Sequence, residues 1–313
     1  MSGSTRSTRS PRSTRPRPPV QHSSRPWLAW GAVGLVVVIV ISLVIVKIAV
    51  GNGATSSSHQ TLRPASPQLV HELTTIPASV FDSVGVAIPS GLAGGTPIVV
   101  SGQPPLHLGG TTPTVLYYGA EYCPYCAAER WAIVIALSRF GTWSGLQTTA
   151  SGLQDGDYST LSFRTARFTS PYVHFASIEA CTNVVDPTAS GCSGYSRLQN
   201  PTPAEQKVLD TYAGSRFVPG NTEGISFPYI DVDNQVLFSG STYQPGILAG
   251  LSQSDIAGVL TDPTDPLTKA IIGTADYLTA SICRGTGGQP STVCTSPGVE
   301  AADAALRAVT PTR

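Results

Sequence analysis

Two cysteines three positions apart, Cys123 and Cys126, stand where a short β-branched and aromatic run gives way to a long alanine-rich apolar one, and this junction restricts the fold more than any other feature. Residues 114–118 read as a strand, and residues 123–140, closed by Gly141, as a helix. Strand, sharp turn and helix in that order put Cys123 at or next to the helix N-terminus. Unsatisfied backbone N–H groups and the helix dipole favour an anion there, so a thiolate is stabilised and its pKa can fall from about 8.5 to about 3.5–7.5. Cys123 is the candidate nucleophile, and redox exchange requires its sulfur to be exposed. Pro124 costs no hydrogen bond in the first helical turn. Cys126, one turn further in and more enclosed, is placed to attack a mixed disulfide and release a partner.

An inert staple is the rival reading of this pair, but a staple has no need of a helix N-terminus. Zinc fits poorly, because a ribbon needs a second closely spaced pair and the other cysteines, Cys181, Cys192, Cys283 and Cys294, stand at separations of eleven. The five histidines show no metal spacing, and no phosphate loop, dinucleotide fingerprint or G-x-S-x-G occurs. No metal or other cofactor is called for. Cys181 with Cys192 and Cys283 with Cys294 each close a loop rich in Gly, Ser, Thr or Pro, and proximity favours them as structural disulfides over the other pairings that six cysteines allow. A relay passing oxidising equivalents to Cys123 is the sharper alternative.

All six cysteines follow an uncharged run of 19 residues that opens at Leu28 and closes at Val46. At about 1.5 Å per residue it spans nearly 30 Å, one bilayer crossing. Trp27 and Trp30 at one interface and Lys47 at the other suit an anchor. A cleaved signal peptide is the alternative, although its apolar region is usually shorter. Six arginines and no acid precede the run, which keeps that side cytoplasmic and places the remainder outside, where disulfides persist. From Gly51 onward the chain carries 12 basic against 19 acidic residues, which argues against a nucleic-acid partner.

The expected organisation is a basic tail at 1–26, a transmembrane helix at 27–50, a flexible linker at 51–66, a folded extracytoplasmic domain at 67–285 and an extension at 286–313 holding Cys294. Short amphipathic stretches at 69–73 and around Val80 and Phe81, then an extended run at 97–101, lead in. Residues 172–179 read as a strand and 203–213 as a helix with Glu205 in its first turn. A hairpin at 227–238 turns at Asp233 and Asn234. Ser252 caps a helix at 253–260, aided by Asp255, and a longer helix runs from Pro266 to about Cys283. Residues 141–171 are rich in Gly, Ser and Thr; they carry no clear pattern and look inserted. His174 reads as a hydrogen-bonded core residue, and Glu129 with Arg130 as a solvated pair or, less simply, a partner-docking pair. Pro228 opens the hairpin, where a proline lacks the N–H for pairing; a cis bond after Phe227 would explain it.

Taken together, Ala120-Glu121-Tyr122-Cys123-Pro124-Tyr125-Cys126 after a strand, then a strand, a helix and Phe227-Pro228 opening a hairpin, resemble the thioredoxin superfamily. More narrowly, residues 119–131, 136–141 and 169–172 resemble the archaeal and actinobacterial family known as domain of unknown function 929. The resemblance spans roughly residues 67–285. It implies an α/β, thioredoxin-like fold with an inserted segment between the dithiol helix and the hairpin. It further implies Cys123 as nucleophile, Cys126 as resolving cysteine and Pro228 as a cis-proline facing the dithiol, with Phe227, Pro124 and Tyr125 beside it in partner binding. Two departures stand out. Thioredoxins place a buried carboxylate six residues before the first cysteine, where this chain has Tyr117, so proton transfer to Cys126 needs another group or water, and Glu121 is a candidate. The separation of 102 positions between Cys126 and Pro228 exceeds what a minimal thioredoxin needs, and the excess holds Cys181 and Cys192.

The function expected is that of a membrane-anchored extracytoplasmic thiol-disulfide oxidoreductase. Its partners are thiols or disulfides of secreted or envelope proteins and a membrane redox protein that re-oxidises or reduces the pair. The alternative is a non-catalytic thioredoxin-like binding or scaffold module of the cell envelope.

Overall fold

The computed structural model describes residues 62–313. The basic tail, the apolar run at 28–46 and most of the linker lie outside the described residues, and among the described residues no helix is long and apolar enough to cross a membrane.

In chain order the lead-in comprises β1 (Arg63–Pro64), α1 (Pro67–Thr74), α2 (Ala78–Val84) and β2 (Ile98–Val99). β1 already pairs with a later strand through Arg63 and Thr148, so ordered pairing begins inside the stretch expected to be linker. β3 (Thr114–Gly119) then leads into α3 (Pro124–Ser138). The segment 141–171, without clear pattern in the sequence, forms β4 (Thr142–Ser144), β5 (Gln147–Ala150), β6 (Ser159–Ser162) and β7 (Arg167–Thr169). β8 (His174–Glu179), β9 (Cys181–Val185) and β10 (Tyr195–Arg197) precede α4 (Pro203–Tyr212), after which come β11 (Tyr229–Val232) and β12 (Val236–Ser239). The chain continues in helices α5 (Gln253–Val259), α6 (Pro266–Gly285), α7 (Ser291–Cys294) and α8 (Pro297–Arg307).

A five-stranded mixed sheet in the order β2-β12-β11-β3-β8 forms the centre, with β3 and β8 parallel and the remaining pairs antiparallel. The period-2 alternation of side chains decides which layer each residue joins. Val115, Tyr117, Ile230, Val232, Val236 and Phe238 face the larger core, built on α3 and α6. Leu116, Ile178, Tyr229 and Leu237 face a second core closed by α4 residues Val208, Leu209 and Tyr212 with Phe217. Helices therefore cover both faces, and α3, buried all the way from Cys126 to Leu137, a stretch apolar but for Glu129-Arg130, runs through the interior.

Local chemistry sets the element ends. Thr202 with Glu205 and Ser252 with Asp255 form capping boxes at α4 and α5, and the Asp265 carboxylate accepts from the N–H groups of Leu267 and Thr268 at the start of α6. Asp233 and Asn234 both adopt positive φ, the conformation that lets two residues close the β11–β12 hairpin. The strands of 141–171 escape a sequence reading because they pair mostly with one another, β5 with β6 and β4 with β7, and because Thr149, Ser159, Thr160 and Ser162 bury without apolar alternation. Two disulfides are present, Cys181–Cys192 and Cys283–Cys294, the second tying α7 to α6 within the stretch expected to be an extension. His174 lies half-buried at the start of β8.

Candidate functional site

Cys123 is the N-cap of α3, and its sulfur accepts the Cys126 backbone N–H at 3.4 Å. Pro124 follows in the first turn, where its missing N–H is no loss. Cys126, fully buried, accepts the Ala120 N–H at 3.5 Å, and both cysteines are free thiols. The Cys123 S–H donates to the carbonyl of Phe227 at 3.7 Å, and Phe227 is joined to Pro228 by a cis peptide bond. Residues 104 positions apart thus meet at one sulfur because β11, which follows Pro228, pairs antiparallel with β3, which precedes Cys123.

The two thiols are electrostatically unlike. A hydrogen bond from the Cys126 side chain, supported by the Cys126 backbone N–H and the nearby Arg130 charge, holds Cys123 below the ordinary thiol value against the opposing effect of burial. Cys126 is raised well above it, first by burial and then by its interaction with Cys123. Cys123 is therefore the more acidic of the two thiols and Cys126 the less acidic.

Three expectations from the sequence change here. Cys123 is not openly exposed: only 5% of it is accessible, because Ala120, Cys126, Tyr122 and Phe227 pack into the same cluster. Tyr125, 44% exposed, is the open member of the motif. It lines a cleft of about 350 Å³ together with Phe227, Ser226, Gly94, Gly240 and Gln244. Residues flanking the sulfur on both sides therefore share one opening. A larger cavity, of about 550 Å³, lies away from the dithiol against Cys283, Arg284 and Asp303.

Glu129 and Arg130 are not a solvated pair; both are fully buried, because α3 is interior on every face. Arg130 grips Glu179 of β8 in a two-pronged ion pair, Nε to Oε1 at 2.9 Å and Nη2 to Oε2 at 2.7 Å, and also donates to the Ala120 carbonyl at 2.7 Å. Glu129 accepts from the Thr242 N–H at 3.3 Å, and burial pushes its carboxyl up to about 8, so that it is mostly protonated at neutral pH.

Glu121, the residue expected to exchange a proton with Cys126, is bound instead to Ser162 Oγ at 2.8 Å and to Arg164, with burial raising its carboxyl. Neither partner is a cysteine. The group beside Cys126 is Tyr117 itself. Its hydroxyl and the Cys126 sulfur lie 2.2 and 2.9 Å from the point that a Cβ on Gly119 would occupy, so only glycine lets the two approach. The Tyr117 hydroxyl is buried against the Cys126 sulfur and reaches no oxygen or nitrogen, and burial raises it well above the ordinary tyrosine value. The pairing of Arg130 with Glu179 and the need for glycine at 119 carry no sequence signal, because they depend on a contact across 49 positions and on a clash that only coordinates reveal.

Residues 103–284, more than half of the chain, match the family described as Domain of unknown function (DUF929). The chain belongs to that family. No curated protein and no solved structure matches it. The DUF929 region holds the dithiol, the Arg130–Glu179 pair, Pro228 and the Cys181–Cys192 disulfide, and ends one residue after Cys283.

Proposed function

We propose that this DUF929 protein is a thiol-disulfide oxidoreductase on a thioredoxin-like fold with an inserted segment, anchored to a membrane through residues 28–46 and acting outside it on proteins. The observation that carries the reading is the Cys123 sulfur, which caps α3, is held acidic and touches the carbonyl before cis-Pro228. The apolar run, the arginines before it and the two further disulfides support the compartment.

In the reducing direction the Cys123 thiolate attacks a partner disulfide, one partner sulfur leaves as a thiolate, and a mixed disulfide forms. Cys126 then loses its proton and attacks the Cys123 sulfur, releasing the second partner thiolate and leaving Cys123–Cys126 oxidised. Oxidation of a partner dithiol is the same sequence reversed. The high value of Cys126 makes its deprotonation the demanding event. The Tyr117 hydroxyl can donate to the emerging Cys126 thiolate, and Arg130 adds a positive charge nearby. That environment differs from a buried carboxylate, which would oppose a second anion. Phe227 and Tyr125 line the cleft beside the dithiol, each next in the chain to a proline, Pro228 and Pro124, and a partner segment would dock there. The disulfides in its own chain favour oxidation as the working direction, with a membrane redox protein restoring the pair.

The small accessibility of Cys123 supports a second reading, a binding or scaffold module of the cell envelope whose dithiol is seldom cycled. Insulin reduction and oxidative refolding by the full-length protein, with Cys123→Ser as control, separate the two. Activity that vanishes in the variant supports the oxidoreductase; equal inactivity of both supports the module.

A further inference from the structure

Cys181 and Cys192 do not sit apart from the dithiol. β3 and β8 are parallel neighbours, so the residues that follow their C-terminal ends emerge side by side: Cys123 and Cys126 after β3, and Cys181, two residues past β8, at the start of β9. The backbone stitches the two segments together there, the Ala180 N–H donating to the Gly119 carbonyl at 2.7 Å and the Glu121 N–H to the Cys181 carbonyl at 2.9 Å. All four sulfur-bearing residues belong to one buried cluster with Ala120, Ala180 and Tyr195.

The loop bearing Cys192 is fastened to the dithiol motif by the residues next to the sulfurs. Tyr122, preceding Cys123, donates its hydroxyl to Ser193 Oγ, following Cys192, at 3.3 Å. The same tyrosine stacks on Tyr195, with ring centroids 4.5 Å apart and planes 4° from parallel. Cys283 provides the contrast, because it belongs to the larger core on α6 and shares no cluster with the dithiol.

We infer that Cys181–Cys192 is a second redox pair, exchanging directly with Cys123–Cys126 inside the chain. This rests on the proposed oxidoreductase reading of Cys123. The Cys123 thiolate attacks the Cys192 sulfur, forming Cys123–Cys192 and breaking Cys181–Cys192, and the expelled Cys181 thiolate takes up the proton that Cys126 gives up. The Cys126 thiolate then attacks the Cys123 sulfur and expels the Cys192 thiolate, which takes up the proton that Cys123 had lost. Two electrons pass from the first pair to the second. One disulfide and two thiols stand on each side, so no outside oxidant enters the step. The reverse sequence re-reduces Cys123–Cys126. Burial of Cys181 and Cys192 at 1% and 2% accessibility shields this second pair from solvent thiols, so electrons reach it through Cys123.

The test starts from full-length wild type with all three disulfides formed, and from Cys123→Ser with Cys181–Cys192 and Cys283–Cys294 formed, and adds to each a short synthetic peptide carrying two reduced cysteines, followed by timed alkylation and peptide mapping. Thiols at Cys181 and Cys192 should appear at least about tenfold faster in the wild type than in Cys123→Ser, while Cys283–Cys294 stays closed in both. A second arm needs no partner: Cys126→Ser, prepared with Cys123 reduced, should accumulate the Cys123–Cys192 disulfide. Rapid reduction of Cys123–Cys126 with Cys181–Cys192 opening at the same slow rate in both proteins, and no Cys123–Cys192 species in Cys126→Ser, overturns the inference while leaving the oxidoreductase reading intact. A trapped Cys123–Cys192 species in a protein that never exchanges with the peptide supports the inference and overturns the partner reaction.

Discussion

Replacing Glu179 by glutamine removes one negative charge from the interior and almost nothing else. In the native protein the Glu179 carboxylate accepts both prongs of the Arg130 guanidinium, at 2.9 and 2.7 Å, with side-chain accessibilities of 0% and 1%. A glutamine keeps one acceptor and turns an amide donor towards a guanidinium donor. Arg130 then remains charged, buried and without its counter-ion, and its Nη1 already has no partner. Leaving one member of such a pair uncompensated costs about 3–5 kcal/mol, a large share of the roughly 5–15 kcal/mol that holds a domain folded. For a folded region of this size, about 2–4 °C is lost per kcal/mol, so Glu179→Gln should melt roughly 6–20 °C below wild type. The freed cation also strengthens the positive field at the dithiol, so iodoacetamide alkylation of Cys123 at pH 6 should accelerate. The double variant Arg130→Met with Glu179→Leu, which buries no unpaired charge, should be more stable than Glu179→Gln alone. A melting temperature within about 2 °C of wild type, less than the loss of a single kcal/mol produces, together with an unchanged alkylation rate, would refute this account of the pair.

Other expectations follow from single contacts. Tyr117→Phe deletes the hydroxyl beside Cys126. A hydrogen bond to a charged group is worth about 1.5–3 kcal/mol, so stopped-flow release of a partner from the Cys123 mixed disulfide should slow by about 10- to 100-fold with Cys123 alkylation little changed; an unaltered release rate would remove Tyr117 from the resolving step. Gly119→Ala forces a methyl into that same contact and should cost about 1–3 kcal/mol in urea unfolding; a neutral result would contradict the packing. Glu129, raised from 4.5 to about 8, keeps its proton in the folded state after the unfolded chain has lost its own. Its contribution therefore falls as pH rises, by about 1.4 kcal/mol per pH unit between about pH 5 and 7.5. Glu129→Gln should lose stability less steeply than wild type over that window, and parallel curves would show that burial does not hold the proton.

The central junction can be read from residues because its physics is local. A β-branched run, a proline one residue past a cysteine and an apolar run of helical length place Cys123 as N-cap without any tertiary information. The capping boxes at Thr202 and Ser252 and the turn at Asp233 and Asn234 are equally local. Charged residues mislead for the opposite reason. Glu129-Arg130 looks like a surface pair until Glu179, 49 positions away, and Thr242 on another segment meet it inside the protein. The near-burial of Cys123 depends on Phe227 and on the Tyr122–Tyr195 stack, neither of which adjacent sequence reveals. Residues 141–171 stay opaque because short strands rich in serine and threonine draw their order from one another rather than from an apolar rhythm.

All of the proposed chemistry depends on how easily a single sulfur gives up its proton. The rate of iodoacetamide modification of residue 123, followed from acid to alkaline pH in Cys126→Ala and in wild type, measures this directly. A midpoint below the value of an ordinary cysteine in wild type, rising towards that value when the Cys126 hydrogen bond is removed, is the predicted result; an ordinary midpoint in wild type, or no reaction in the folded protein at any pH, contradicts it.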